Sequence, residues 1–144
     1  FSLETPSFNL KLVKASQTIA TLQPKSLPGF DFTPGDSLKV RSSNGLFQPG
    51  DLDLSLRTGS EMEWKHYSTA TARLPVETLK AEGNVLAAAD LTATLPSDIP
   101  LQIKRYWEVQ NGKLVMRFEL INKSAMKVEI GALSIPMIFN NILL

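Results

Sequence analysis

The sequence predicts an all-β fold, an antiparallel β-sandwich, from three observations. Apolar and polar residues alternate with a period of two along most of the chain, as in strands with one buried face. Pro, Gly and Asn separate the alternating runs, and no segment has the spacing of an amphipathic helix. About nine such strands are typical of a sandwich or a barrel. A large antiparallel sandwich fits best, because the strands are long for an immunoglobulin-type domain and its Cys–Trp–Cys pattern is absent.

The cleanest single strand is predicted at 51–57. Three Leu share one face of this run, and two Asp, one Ser and one Arg share the other. The Ala-rich run at 85–95 is predicted as a strand rather than a helix, because Thr and Asp recur in it and Gly83 and Pro96 flank it. The other strands predicted before residue 100 lie at 8–13, 18–22, 38–41 and 64–73.

The strongest local signal predicts a β-hairpin over 101–122. Two alternating runs flank Asn111-Gly112, the dipeptide that a two-residue type I′ turn prefers. This turn sets the register, and a slip by one residue would move the whole apolar set to the wrong face. A further strand is predicted at 127–133. The expected cross-strand pairs are Val109 with Leu114, Trp107 with Met116, Arg105 with Phe118, Ile103 with Leu120, Tyr106 with Arg117, and Lys104 with Glu119.

Composition excludes several classes of function. The 15 Lys and Arg nearly balance the 14 Asp and Glu and are dispersed, so no nucleic acid is expected as a partner. The absence of Cys excludes disulfides and thiolate chemistry, and a single His excludes a site with two imidazoles. No Gly-rich phosphate loop is present, so no cofactor is expected. No apolar run reaches about 18 residues, so no membrane span is expected.

The chain is predicted to form one domain, 1–144, that is a fragment of a longer protein. It begins with Phe1 rather than Met, and its first residues lack the basic start and apolar core of a signal peptide. Residues 134–144 are apolar to the last one, whereas natural termini are usually polar. We therefore expect this tail to be buried against protein that lies outside these 144 residues.

No catalytic residue and no metal ligand is predicted. Paired carboxylates can act as acid and base in glycoside cleavage. Asp51 and Asp53 fall on the polar face of a Leu-alternating strand, so a solvated structural role is predicted for them. The same role is predicted for Glu61 and Glu63, which lie beside a turn. A hydrolytic triad would need His66, and the Gly-x-Ser-x-Gly elbow is missing. The candidate carboxylate pairs are Asp51 with Asp53, Glu61 with Glu63, and Asp90 with Asp98.

Two local features suggest binding or modification. Trp64, His66 and Tyr67 offer flat rings with polar edges, which is how proteins contact sugars. Packing in the core or at its rim explains the same cluster, with Trp64 and His66 on one face and Tyr67 on the other. Asn122-Lys123-Ser124 matches the N-glycosylation pattern and favours secretion.

Four segments also resemble a known family. They are Gly-Asp-Leu-Asp-Leu-Ser-Leu-Arg at 50–57, Tyr-Ser-Thr-Ala-Thr-Ala-Arg-Leu-Pro-Val at 67–76, Ala-Ala-Asp-Leu-Thr at 88–92, and Gly-Ala-Leu-Ser-Ile-Pro-Met-Ile-Phe-Asn-Asn at 131–141. They are similar to the N-terminal part of large secreted, mostly fungal, glycoside-hydrolase-like proteins that carry an uncharacterised domain. The resemblance implies a sandwich of the supersandwich type in front of an (α/α)6 toroid. It supplies no catalytic motif for any numbered position.

Two functions follow as expectations. In the first, the chain is the non-catalytic accessory sandwich of a secreted glycoside-hydrolase-like protein, packs on a downstream helical catalytic domain and contributes to a carbohydrate cleft. In the second, it is a free-standing carbohydrate-binding or adhesion module. On either view the chain alone is not an enzyme, although the parent protein in the first is a candidate glycoside hydrolase.

Overall fold

The computed structural model describes residues 1–33, 46–72 and 75–139. The strand expected at 38–41 lies outside the described residues. The described chain is nearly all β, as predicted. Its elements are β1 (Ser2–Glu4), β2 (Phe8–Leu12), β3 (Ile19–Pro24), β4 (Asp53–Thr58), β5 (Lys65–Ser68), the helical turn α1 (Thr69–Ala72), β6 (Glu77–Leu79), β7 (Val85–Asp90), a 3-10 turn (Thr92–Thr94), β8 (Leu101–Gln110), β9 (Lys113–Asn122) and β10 (Val128–Ser134).

The strands form three antiparallel sheets, with the orders β1-β2-β3, β10-β4-β5 and β6-β7-β8-β9. Alternate residues of β8 are buried, so one face of the four-stranded sheet is turned to the core. Ile103 of β8 packs with the leucines of β4, and Trp107 packs with residues of β2 and β3. The two three-stranded sheets therefore cover different parts of the same face, which gives a β-sandwich-like arrangement.

The hairpin β8–β9 confirms the predicted register at every expected pair. Asn111 and Gly112 have φ of 50° and 75°, as both central residues of a type I′ turn require. Trp107 is buried and Phe118 is partly buried against the core. On the outer face, the guanidinium carbon of Arg117 lies 4.1 Å from the ring centre of Tyr106, so the predicted aromatic–cation pair is formed.

Two predicted strands are too long. The run at 85–95 stops pairing at Asp90, because the Asp90 carboxylate accepts the Thr92 N–H at 2.9 Å and the Thr94 hydroxyl donates to the Leu91 carbonyl at 2.7 Å. Such local bonds compete with a strand ladder and here make a 3-10 turn. The run at 64–73 likewise gives β5 and then α1, where the Ser68 hydroxyl accepts the Ala70 N–H at 3.2 Å. The remaining strands differ from prediction by a few residues, and the three-residue strands β1 and β6 were not predicted.

A buried arginine lies where the three sheets meet. Arg105 is on the inner face of β8 and is 1% exposed. Its two terminal nitrogens donate to the Gly50 carbonyl ahead of β4, at 2.5 Å, and to the Ser16 carbonyl between β2 and β3, at 2.6 Å. Burial lowers the pKa of Arg105 to about 10, and the nearby Asp51 carboxylate opposes that shift. One charged side chain thus ties both three-stranded sheets to the four-stranded one.

Candidate functional site

The first candidate carboxylate pair is split between two environments. Asp51 is 1% exposed and accepts the Gln48 N–H at 2.8 Å and the Thr69 hydroxyl at 3.0 Å. The predicted solvated role is therefore wrong for Asp51. The strand begins only at Asp53, so strand alternation does not orient Asp51. Asp53 is half-buried, and its Oδ1 has no hydrogen-bond partner among the described residues.

The members of the other two carboxylate pairs have separate surroundings. Glu61 and Glu63 are exposed, and Glu61 accepts both the N–H and the hydroxyl of Thr58 at 3.2 Å, so this pair lies beside a turn as predicted. Asp90 is buried and accepts the Gln102 amide at 2.6 Å, whereas Asp98 is exposed. Within 1–33, 46–72 and 75–139, no three His, Asp or Glu side chains are grouped to hold a metal ion.

Trp64 is an exposed aromatic residue on the β10-β4-β5 sheet. It is 45% exposed, and the guanidinium carbon of Arg57 on β4 lies 4.3 Å from its ring centre. The indole also covers Gly131 of β10, where a Cβ would lie only 2.8 Å from the ring. Glycine at this position therefore lets the indole rest directly on the strand. Trp64 is held in place from two strands and still presents nearly half of its surface to solvent.

Glu129 completes this support. Its carboxylate contacts Arg57 at 2.5 Å and Lys127 at 2.8 Å. The hydrogen bond from Lys127, together with the one from Arg57, lowers the pKa of Glu129 to about 2. Arg57 is thus paired with a carboxylate while it lies against the Trp64 ring.

The shifted pKa of Glu129 predicts an acid-sensitive contribution to stability. A carboxyl whose pKa is lower in the folded state stabilises the fold above its ordinary pKa of 4.5, and this contribution is lost as the pH falls through about 2. We expect the free energy of unfolding of Glu129→Gln to fall less over this interval than that of the unchanged chain. Urea unfolding at a series of pH values measures this. A Glu129 carboxyl that titrates near 4.5 by NMR would contradict the prediction.

The other two members of the predicted sugar-binding cluster, His66 and Tyr67, differ in exposure. His66 is exposed on β5, whereas Tyr67 is 4% exposed and packs in the core. Burial raises the pKa of Tyr67, and the Asp98 carboxylate raises it further through its charge and through the hydrogen bond that it accepts from the Tyr67 hydroxyl. Trp64 and His66 are thus exposed while Tyr67 faces inward, as the alternation predicted. The three rings do not form one surface.

Strand β10 and the segment that follows it carry an apolar strip that the alternation did not predict as a whole. Ile130 and Leu133 lie opposite Leu56 and Leu54, whose side chains are in the core. Because β10 is at the edge of its sheet, no neighbouring strand in the described structure shelters them on the other side. We define the β10 strip as Ile130, Leu133, Ile135 and Met137, which are 50%, 52%, 38% and 54% exposed. Residues 140–144 of the predicted apolar tail lie outside the described residues.

Asn122 lies at the exposed end of β9. Its amide nitrogen donates to the Met126 carbonyl at 2.9 Å, and the Ser124 hydroxyl donates to the Asn122 side-chain oxygen at 2.8 Å. The triplet is therefore at the surface, where a glycan would find room. Glycosylation of Asn122 stays a prediction, which a shift in mass after secretory expression would test.

Together these features describe an all-β domain with a supported exposed indole on one sheet and an apolar strip along that sheet's edge. Residues 11–144 match the model of a family of unknown function (DUF5695), and the chain belongs to this family. This agrees with the expected membership in a family defined by an uncharacterised domain. Neither a search of curated proteins nor a search of solved structures finds a match. No helix in the described ranges has both the length and the apolar character that a membrane crossing requires.

Proposed function

We propose that this chain is the non-catalytic accessory β-sandwich of a secreted glycoside-hydrolase-like protein and packs through the β10 strip on a downstream helical catalytic domain. The observation that supports the packing is the β10 strip itself. Its two inward-facing residues, Ile130 and Leu133, continue the core side of the sheet and are still half exposed. The resemblance of the sequence supports the nature of the partner and of the parent protein.

Strand β10 leaves the edge of its sheet open and apolar in the described structure. Edge strands in monomeric proteins are usually short, charged, bulged or covered, since an open apolar edge invites association. β10 has a bulge between Ile130 and Ala132, but its apolar side chains remain open. Apolar surface that leaves water contributes about 25 cal/mol per Å². A partner with an apolar face would therefore bind here, and helices of a toroid have such faces.

The test uses the 144-residue chain and a variant with Ile130→Lys and Leu133→Lys. We expect the unchanged chain to self-associate and to bind a hydrophobic dye, and the double variant to do both much less. Met62→Lys is the matched control, because Met62 is 83% exposed and outside the strip. Analytical ultracentrifugation and dye fluorescence measure the difference. A chain that is monomeric, dye-silent and cooperative in unfolding would contradict the proposal and favour a free-standing module.

The second candidate function, a free-standing carbohydrate-binding or adhesion module, is favoured by Trp64. An indole that is fixed against a sheet and half exposed can stack on the apolar face of a sugar ring. We expect Trp64→Ala to abolish retention on insoluble polysaccharides and Met62→Ala to leave it unchanged. A pull-down with a panel of polysaccharides measures this. Equal retention of both variants would contradict the role of Trp64.

A further inference from the structure

We propose that a cleft beside the free edge of β5 binds a neutral sugar residue, an inference that rests on the carbohydrate-binding part of the proposed function. This β5 cleft has a volume of about 380 Å³, and its lining includes His66, Ser68, Thr71, Ala93, Thr94 and Pro96. Small-molecule sites in proteins have volumes of about 300–1,000 Å³. The cleft is separate from the indole surface, since Trp64 does not line it.

The backbone of β5 supplies polar groups to this cleft. The Thr69 N–H donates to the carbonyl of Leu52, the residue directly opposite, at 3.0 Å. In an antiparallel ladder every second pair is hydrogen-bonded, so Tyr67 with Leu54 is the next bonded pair along β5 and β4. Residues between the bonded pairs turn their N–H and C=O groups away from the partner strand. In β5 these residues are His66 and Ser68, and both line the cleft. In the part of the chain that the structure describes, β5 is the last strand of its sheet, so the N–H and C=O of His66 and the N–H of Ser68 face the cleft. The Ser68 C=O is instead the first acceptor of the turn α1.

The side chains around the cleft complement this edge. Thr71 is exposed, and neither its hydroxyl nor the His66 imidazole has a hydrogen-bond partner among residues that the structure describes. The Thr94 hydroxyl donates to the Leu91 carbonyl and keeps acceptor capacity. Ala93 and Pro96 add small apolar surfaces. Hydroxyl and backbone groups beside apolar patches suit a pyranose, which has hydroxyls at its rim and C–H groups on its faces.

The charge of the cleft lining and the short free edge of β5 limit the class of ligand that the cleft can bind. The described lining contains no Asp, Glu, Lys or Arg, so no carboxylate, ammonium or guanidinium group in it would balance a charged ligand. An added peptide strand is disfavoured, because β5 ends at Ser68 and the turn α1 begins at Thr69. Only two residues of the edge are therefore open, fewer than the roughly three that the shortest strands contain. A compact, uncharged and polyhydroxylated ligand fits best.

The test is an NMR titration of the 144-residue chain with maltose, cellobiose and mannobiose, with glucuronic acid and a short Val/Thr peptide as comparisons. We expect at least one neutral disaccharide to shift the amide signals of 66–72 and 93–95. Ala93→Phe, which adds a ring at an exposed position of the cleft, is expected to weaken binding by about tenfold or more. Thr71→Ala is expected to weaken it several-fold. Met62→Ala, the matched control, should leave this affinity unchanged, because Met62 is 83% exposed and does not line the cleft.

The outcomes separate this inference from the proposals it rests on. Signals that shift around Trp64 and are lost only in Trp64→Ala would overturn the cleft and support the indole surface. A response to glucuronic acid or to the peptide alone would overturn the neutral-sugar assignment. If no saccharide shifts any signal at millimolar concentration, both the cleft and the carbohydrate-binding candidate fail. Packing through the β10 strip is tested by association and does not depend on this result.

Discussion

Arg105→Ala is expected to lower the free energy of unfolding by about 3–5 kcal/mol, which is typical when one member of a buried charged pair is removed. The substitution leaves the Gly50 and Ser16 carbonyls without their donors and the Asp51 carboxylate buried beside an empty space. It also removes both hydrogen bonds by which Arg105 links the loops of the two three-stranded sheets to β8. Urea unfolding followed by circular dichroism measures the change.

Lys104→Ala is the matched control for Arg105. Lys104 is the preceding residue of β8 and points to the outer face, so its loss is expected to change stability by no more than about 0.5 kcal/mol. A whole domain is stable by only about 5–15 kcal/mol, so Arg105→Ala can prevent folding altogether. Arg105→Lys then serves as the second variant. It keeps the charge but loses the planar fork that reaches two carbonyls, and we expect an intermediate loss. If Arg105→Ala changed the free energy of unfolding no more than Lys104→Ala, the contact between the three sheets would not depend on the Arg105 side chain.

Asp51→Ala is expected to lower the free energy of unfolding by about 3 kcal/mol or more, whereas Asp53→Asn is expected to leave it unchanged or raise it slightly. Asp51 accepts hydrogen bonds from Gln48 and Thr69, and its negative charge stabilises the buried positive charge of Arg105. Asp53 has a buried oxygen without a partner, so neutralising it removes a desolvation cost.

Urea unfolding followed by circular dichroism measures the difference between the Asp51 and Asp53 variants. The two carboxylates are two residues apart, which makes Asp53 a close control for Asp51. Asp51→Asn is expected to fall between the other two variants, because its amide oxygen can still accept one of the bonds. Equal effects at both positions would show that Asp51 is as solvated as strand alternation predicted.

The β8–β9 hairpin could be predicted in full because its information is local. The turn dipeptide Asn111-Gly112 selects one backbone geometry, and alternation on both sides selects one register. The end of β7 could not be read from alternation, since Asp90 and Thr94 bond to nearby backbone groups instead of continuing the ladder. Short edge strands such as β6, with three residues, leave too little alternation to detect.

The candidate site was predictable only in part. The ring cluster at 64–67 identified Trp64, and alternation assigned Tyr67 to the other face. Nothing local indicated that Arg57 and Gly131, from two other strands, would support the indole. The β5 cleft could not be predicted from the sequence, because its walls come from segments more than twenty residues apart that meet only in the folded chain.

The sequence by itself determined the class of fold, the hairpin register and the inward position of residues such as Leu54, Ile103 and Trp107, since each depends on a period of two or on a turn. Tertiary structure decided which inward positions are covered. Arg105 shares its face with Ile103 and is buried because two loops offer carbonyls to it. Ile130 shares its face with Leu56 and stays half exposed because β10 is the last strand of its sheet within 1–33, 46–72 and 75–139. Periodicity determines the face of a residue, whereas burial depends on what the rest of the chain places against that face.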